Sequence, residues 1–123
     1  MPKQKSLNFI IPLVVYPFDV MVSFGQSDLE ITKSLKKRGW RWDDLLKLKG
    51  DGKFIIFHDI NAAVIRMKYF PNYPEGQATM SHEIFHAITY ILDKVGMKLK
   101  IGKSDEAYSY LIGYLTKEIY KKL

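Results

Sequence analysis

The sequence predicts an α+β fold: a small antiparallel sheet of three or four strands, followed by two packed C-terminal helices. Two observations support this fold class. Runs of β-branched and aromatic residues alternate with turn residues in the first part of the chain, and two stripes of apolar residues at helical spacing occupy its last part. The 123 residues contain no repeat and no linker-like segment, so we expect one domain spanning residues 1–123.

The first two strand signals are Phe9–Val15 and Phe18–Phe24, which are separated by Tyr16 and Pro17. Pro12 lies inside the first run. Because proline has no N–H group to donate to a neighbouring strand, its position predicts that the first strand lies at an edge of the sheet or carries a bulge.

The next segment has the signals of a helix. Ser27 and Glu30 have the Ser-x-x-Glu spacing of a capping box, and apolar residues follow at helical spacing. These signals predict a helix from Asp28 to Arg38 that ends at Gly39.

A hairpin is predicted after the turn residues 50–52. Its strands are Lys53–Phe57 and Ala62–Phe70, and the second strand alternates between two faces. Arg66 and Lys68 fall on the same face of that strand. Two charged residues on one face predict that the strand is exposed on that side.

Two longer helices are predicted at the C-terminal end. The first runs from about Glu75 to Val95, and the second, with Ser104 as its N-cap, runs from about Asp105 to Lys122. Each has one apolar stripe, so the second helix is expected to fold back against the first in order to bury its own stripe.

Composition excludes several kinds of site. The chain has no cysteine, so disulfides and thiolate ligands are excluded, and a transition metal would need histidine and carboxylate ligands. The formal charge is +6, but the lysines are scattered along the chain, which argues against a nucleic-acid partner. No apolar segment approaches the roughly 20 residues of a membrane span, so we expect no membrane partner and a cytoplasmic protein.

The segment that carries chemistry is His82-Glu83-Ile84-Phe85-His86, a His-Glu-x-x-His motif in the middle of a predicted helix. Residues four apart lie on the same helix face, so His82 and His86 are expected to point at one zinc ion. Glu83 would lie beside the ion, where it could accept a proton from the attacking water. An exposed helix face with two solvated histidines is the alternative.

A catalytic zinc ion needs a third protein ligand. Glu106 is the preferred candidate because it begins the helix that must fold back against the motif helix. Asp105 is the main rival, although an acidic residue in the first turn also favours the helix dipole. His58, at the end of a predicted strand, is a further candidate, and Asp93 lies too far along the motif helix to share an ion with His86.

The motif and the following helix with Glu106 resemble the gluzincin zinc metallopeptidases, over about 40 residues from Ala78 to Thr116. The chain is also similar to small phage-encoded proteins in the segments 81–87 and 104–111. The resemblance implies that His82, His86 and Glu106 are zinc ligands and that Glu83 is the general base. It also implies that a strand near the motif helix aligns an extended substrate, for which Ala62–Phe70 is the expected strand.

The chain departs from the gluzincin pattern around the third ligand, where Asp105 precedes Glu106 and Ser109-Tyr110 follows it. No residue is thereby identified to support the ligand histidines. Tyr110 lies one turn after Glu106, so we expect it to be a donor to the developing oxyanion or, alternatively, a packing residue.

These observations favour a minimal zinc-dependent hydrolase that cleaves peptide bonds in a peptide or protein substrate. The alternative is a catalytically silent metal-site protein that acts as a structural or accessory binding protein of a phage. Under that second interpretation, the protein would assemble with other phage proteins, in the host cytoplasm or in the virion.

Overall fold

A computed structural model describes residues 6–123 and confirms the α+β class. Its elements are the strands β1 (Leu7–Leu13), β2 (Phe18–Phe24), β3 (Gly52–Phe57) and β4 (Ala62–Met67), the helices α1 (Asp28–Lys37), α2 (Pro74–Lys94) and α3 (Asp105–Lys122), and a short 3-10 helix, Asp44–Leu46. None of the helices within residues 6–123 combines the length with the apolar composition that a membrane-spanning helix requires.

The four strands form one sheet in the order β1-β2-β4-β3. The pairs β1–β2 and β3–β4 are antiparallel, but β2 and β4 pair in parallel, so the sheet is mixed and the prediction of a wholly antiparallel sheet is wrong in this one pair. A parallel pair needs a long crossover connection, and the segment between β2 and β4 supplies one because it contains α1, the 3-10 helix and β3. β1 is an edge strand, as Pro12 predicted, and β3 is the other edge.

Both faces of the sheet are covered by helices. On one face α1 and the 3-10 helix pack over a smaller core, and the capping box predicted at Ser27 and Glu30 is present at the start of α1. On the other face α2 and α3 pack over the larger core. The fold therefore has three layers, and the sheet is its middle layer.

β4 is buried throughout, which contradicts the prediction of a strand exposed on one side. The alternation of the sequence is real, but α1 and the 3-10 helix cover the face on which Arg66 lies. The Arg66 guanidinium is 2% exposed and donates to the Asp28 carboxylate at 2.6 Å and to the carbonyl oxygens of Gln26 and Leu46 at 2.7 and 2.8 Å. These bonds tie the start of α1 and the 3-10 helix to the centre of the sheet.

The two C-terminal helices pack against each other, as predicted, and they lie over different parts of the sheet. α2 contacts β3 and β4, whereas α3 contacts α2 and β1. α2 therefore lies between α3 and the β3 edge. This order decides which side chains share a site.

Candidate active site

The two motif histidines meet on the exposed side of α2. Nε2 of His82 and Nε2 of His86 are 3.0 Å apart, and the ring centroids are 4.6 Å apart with the rings nearly perpendicular. Helix geometry brings them together, because residues four apart lie one turn above each other. The structure thus joins the two predicted ligands.

Glu83 lies on the next face of the same helix and turns inward toward the sheet. It is only 7% exposed and lies against Gly52 at the start of β3. Burial raises the pKa of the Glu83 carboxyl, while the nearby charges of His82, His86 and Lys53 partly oppose this rise. A carboxyl with a raised pKa binds a proton more readily than an ordinary glutamate does.

A groove of about 480 Å³ opens beside Glu83 and His86. It follows β3 and lies between α2 and the segment of the 3-10 helix. Its walls come from three parts of the chain: Asp43 and Leu45; residues 52–56 and His58; and Glu83, His86 and Tyr90. The predicted base and one predicted ligand therefore face a space large enough for part of an extended peptide.

The floor of this groove is the free edge of β3. β3 pairs with β4 on one side only, and its other side is unpaired within the described sheet. β4 lies between β2 and β3, so the expectation that residues 62–70 align a substrate is wrong: both edges of β4 are already paired. The strand that can accept an added strand next to the motif is β3.

Side chains of α2 contact both β3 and the turn that follows it. The rings of Phe54 and Tyr90 are 5.6 Å apart. Nζ of Lys94 donates to the carbonyl oxygens of Phe57, His58 and Ile60 at 3.3 to 3.4 Å, which fixes the turn between β3 and β4. The groove is thus bounded by parts of the chain that are tied to one another.

The residues predicted on α3 are not brought to this groove. Glu106 is exposed in the first turn of α3, and Tyr110 is 64% exposed one turn later. Neither lines the groove, because α2 lies between α3 and β3. Asp105 has a local role: its Oδ1 accepts a hydrogen bond from the Gly102 N–H at 2.8 Å.

The histidine pair matches part of what a zinc site requires. Two ligand nitrogens of a tetrahedral zinc ion lie about 3.3 Å apart, given Zn–N distances of about 2.0–2.1 Å. The 3.0 Å between His82 Nε2 and His86 Nε2 is a hydrogen-bond distance, so a zinc ion bound by both rings would replace this hydrogen bond and widen the pair slightly. No third ligand is in place, however: within residues 6–123 no three His, Asp or Glu side chains are grouped so that they could hold a metal.

Several residues of the site were not predicted from the sequence. Gly52, Phe54 and Tyr90 line the groove, and only Tyr90 had a usable signal, since it follows His86 by four residues on the same helix. The position of β3 at the sheet edge depends on strand order, which local patterns do not encode.

Comparison with known proteins gives no relative for this chain: no protein-family model, no curated protein and no solved structure matches it. The functional argument therefore rests on the site itself.

Proposed function

We propose that the protein is a minimal zinc-dependent hydrolase that cleaves a peptide bond in a chain bound along β3. The observation that carries this proposal is the arrangement of three motif residues. The Nε2 atoms of His82 and His86 converge to 3.0 Å, and the buried carboxylate of Glu83 lies beside them at an unpaired strand edge.

Each residue of the motif would have a separate role. His82 and His86 would hold the zinc ion, and a bound zinc ion supplies Lewis-acid activation of water and of the substrate carbonyl. Glu83 would accept the proton of the attacking water and deliver it to the leaving nitrogen as the peptide bond breaks.

β3 would bind and orient the substrate. Its unpaired N–H and C=O groups offer backbone hydrogen bonds to an extended peptide, so the scissile bond would lie beside Glu83 whatever the side chains of the peptide are. The Phe54 and Tyr90 rings favour a large apolar side chain farther along the groove.

Two residues compete for the role of third ligand. Glu106 has the support of the gluzincin resemblance, but its binding requires the start of α3 to come around α2. His58 lines the same groove as His86, and its binding requires the His58 side chain to move toward the histidine pair. Replacement of each by alanine decides between them, because loss of the true ligand should weaken zinc binding by more than the roughly 10 to 100-fold that loss of a residue supporting a ligand costs.

Hydrolysis itself is tested with zinc-loaded protein and fluorescein-labelled casein. We expect zinc-dependent cleavage that Glu83→Gln lowers by about 10² to 10⁴-fold while zinc binding is retained. The matched control is Glu75→Gln, which removes an exposed carboxylate from the same helix and should leave cleavage unchanged. Cleavage that survives Glu83→Gln would contradict the role of Glu83, and no cleavage by the zinc-loaded wild type would contradict the enzyme.

The second candidate is a non-enzymatic metal-site protein that binds a partner strand along β3, such as another phage protein. It is supported by the absence of a third ligand near the histidine pair within residues 6–123. This function predicts that zinc binds and that casein stays intact, with no difference between wild type and Glu83→Gln.

A further inference from the structure

Gly52 is the first residue of β3, and its backbone gives no reason for a glycine there. Glycine inside a strand weakens the strand and marks a place where another group approaches closely. Gly52 does not have the positive φ that Gly25, Gly39, Gly96 and Gly102 have, so any L-amino acid could adopt its conformation. The requirement for glycine must come from its surroundings.

Two side chains of α2 occupy the space that a side chain at Gly52 would need. A Cβ atom on Gly52 would lie 2.8 Å from Cγ2 of Thr79, 2.9 Å from Cγ of Glu83 and 3.3 Å from Oε1 of Glu83. The first two distances are shorter than a carbon–carbon contact of about 3.5–4.0 Å allows. The Glu83 side chain therefore lies in a slot that exists because residue 52 has no side chain.

We propose that Gly52 is a positioning residue for Glu83. Because residue 52 has no side chain, the Glu83 side chain can lie against β3, with its carboxylate beside the free edge of the strand. This inference rests on the proposed hydrolase function for its consequence, but its structural part stands on the contacts alone. A substituted residue 52 would push Glu83 out of the slot, away from the place where the substrate backbone would lie.

Comparison with Gly76 shows why the site, rather than the fold, would be affected. A Cβ atom on Gly76 would lie 2.7 Å from the carbonyl oxygen of Phe70 and 3.2 Å from Cα of Pro71, which are backbone atoms. Relief there requires α2 to shift. At Gly52 all three close atoms belong to side chains, so a rotation of Glu83 and Thr79 relieves the contact while the backbone stays in place.

The test compares Gly52→Ala with Gly50→Ala. Gly50 lies in the same turn, and a Cβ atom there meets nothing within 4 Å. In ¹³C-labelled protein we expect the side-chain carboxyl carbon of Glu83 to change its chemical shift in Gly52→Ala and to keep it in Gly50→Ala. Zinc affinity should stay within about 3-fold of wild type, whereas kcat on fluorescein-labelled casein should fall by about 10 to 100-fold.

A second variant separates positioning from stability. Thr79→Ser removes the Cγ2 methyl group, so Gly52→Ala/Thr79→Ser keeps only the contact with Glu83. We expect this double variant to recover the melting temperature lost by Gly52→Ala without recovering kcat or the wild-type carboxyl resonance. Should Gly52→Ala be too unstable to study, the double variant carries the same comparison.

Two results would overturn the inference. One is an unchanged Glu83 carboxyl resonance in Gly52→Ala and in the double variant. The other is a loss of kcat that Thr79→Ser restores together with the melting temperature, since that would show a general packing defect. If the wild type does not cleave casein, the proposed hydrolase fails, but the carboxyl resonance still decides whether Gly52 positions Glu83.

Discussion

The two C-terminal helices have the same kind of apolar face, but the fold treats their polar residues differently. On α2, His82 and His86 converge to 3.0 Å and Glu83 is buried against β3. On α3, Glu106 and Tyr110 are exposed, and neither lines the groove along β3. Spacing within one helix fixes which side chains meet, whereas a meeting between two helices depends on how they pack.

The order of the elements across the sheet explains this difference. α2 lies over β3 and β4, and α3 lies on the β1 side of α2. A side chain of α3 would have to reach around α2 to share a ligand with His86. The groove, in contrast, is formed by α2, β3 and the segment of the 3-10 helix.

The two helices should contribute similarly to the stability of the core, although only α2 contributes side chains to the groove. Ile84 on α2 and Leu115 on α3 are 1% and 0% exposed in one apolar core. We expect Ile84→Ala and Leu115→Ala each to lower the free energy of unfolding by about 2–5 kcal/mol, because each leaves a cavity. Urea denaturation measures this. A loss below about 1 kcal/mol for Leu115→Ala alone would mean that α3 is only loosely attached.

A pair of tyrosines distinguishes the two helices at the groove. Tyr90 lines the groove against Phe54, and Tyr110 is 64% exposed on α3. Tyr90→Ala would remove the contact of the Tyr90 ring with an apolar side chain of the substrate. An aromatic contact of about 0.5–1.5 kcal/mol predicts a roughly 2 to 12-fold rise in KM for casein. Tyr110→Ala should leave both kcat and KM unchanged. A fall in kcat in Tyr110→Ala would instead support the sequence-based prediction that Tyr110 donates to the developing oxyanion.

The buried acid of α2 predicts a pH dependence of stability in zinc-free protein. The pKa of Glu83 is raised in the folded state by burial. Ionisation is therefore easier in the unfolded chain, and the wild type loses stability as pH rises through the folded pKa. Relative to wild type, Glu83→Gln should raise the melting temperature at pH 7, and this gain should shrink toward pH 4.

The control for this pH effect is Glu75→Gln, which removes an exposed carboxylate from the favourable N-terminal end of α2. It should give no gain in melting temperature at pH 7. A gain from Glu83→Gln of equal size at pH 4 and pH 7 would contradict a raised pKa, because the penalty arises only from the ionised carboxyl.

Most of the secondary structure was predictable because its signals are local. The capping box at Ser27 and the apolar stripes of α2 and α3 identify their helices, and Pro12 marks β1 as an edge strand. The burial of Arg66 was not predictable, because it depends on a helix layer that covers β4 from a distant part of the chain.

Of the candidate site, the part that depends on one helix was predictable, and the part that depends on strand order was not. The convergence of His82 and His86 follows from their spacing on one helix. The groove does not, because it requires β3 to be the outer strand, and the parallel pairing of β2 with β4 places it there. The sequence predicts Gly52 as a turn residue, although it begins β3 and lies against Glu83.

The central claim is that the histidine pair of α2 binds zinc, and titration calorimetry of the protein with zinc tests it most directly. We predict about one zinc per chain, with the affinity lowered in His82→Ala and in His86→Ala by more than the roughly 10 to 100-fold that loss of a residue supporting a ligand costs. Asp93→Ala, which removes an exposed carboxylate farther along α2, should bind as wild type does. A wild type that binds no zinc, or a His86→Ala variant that binds it equally well, would contradict the account.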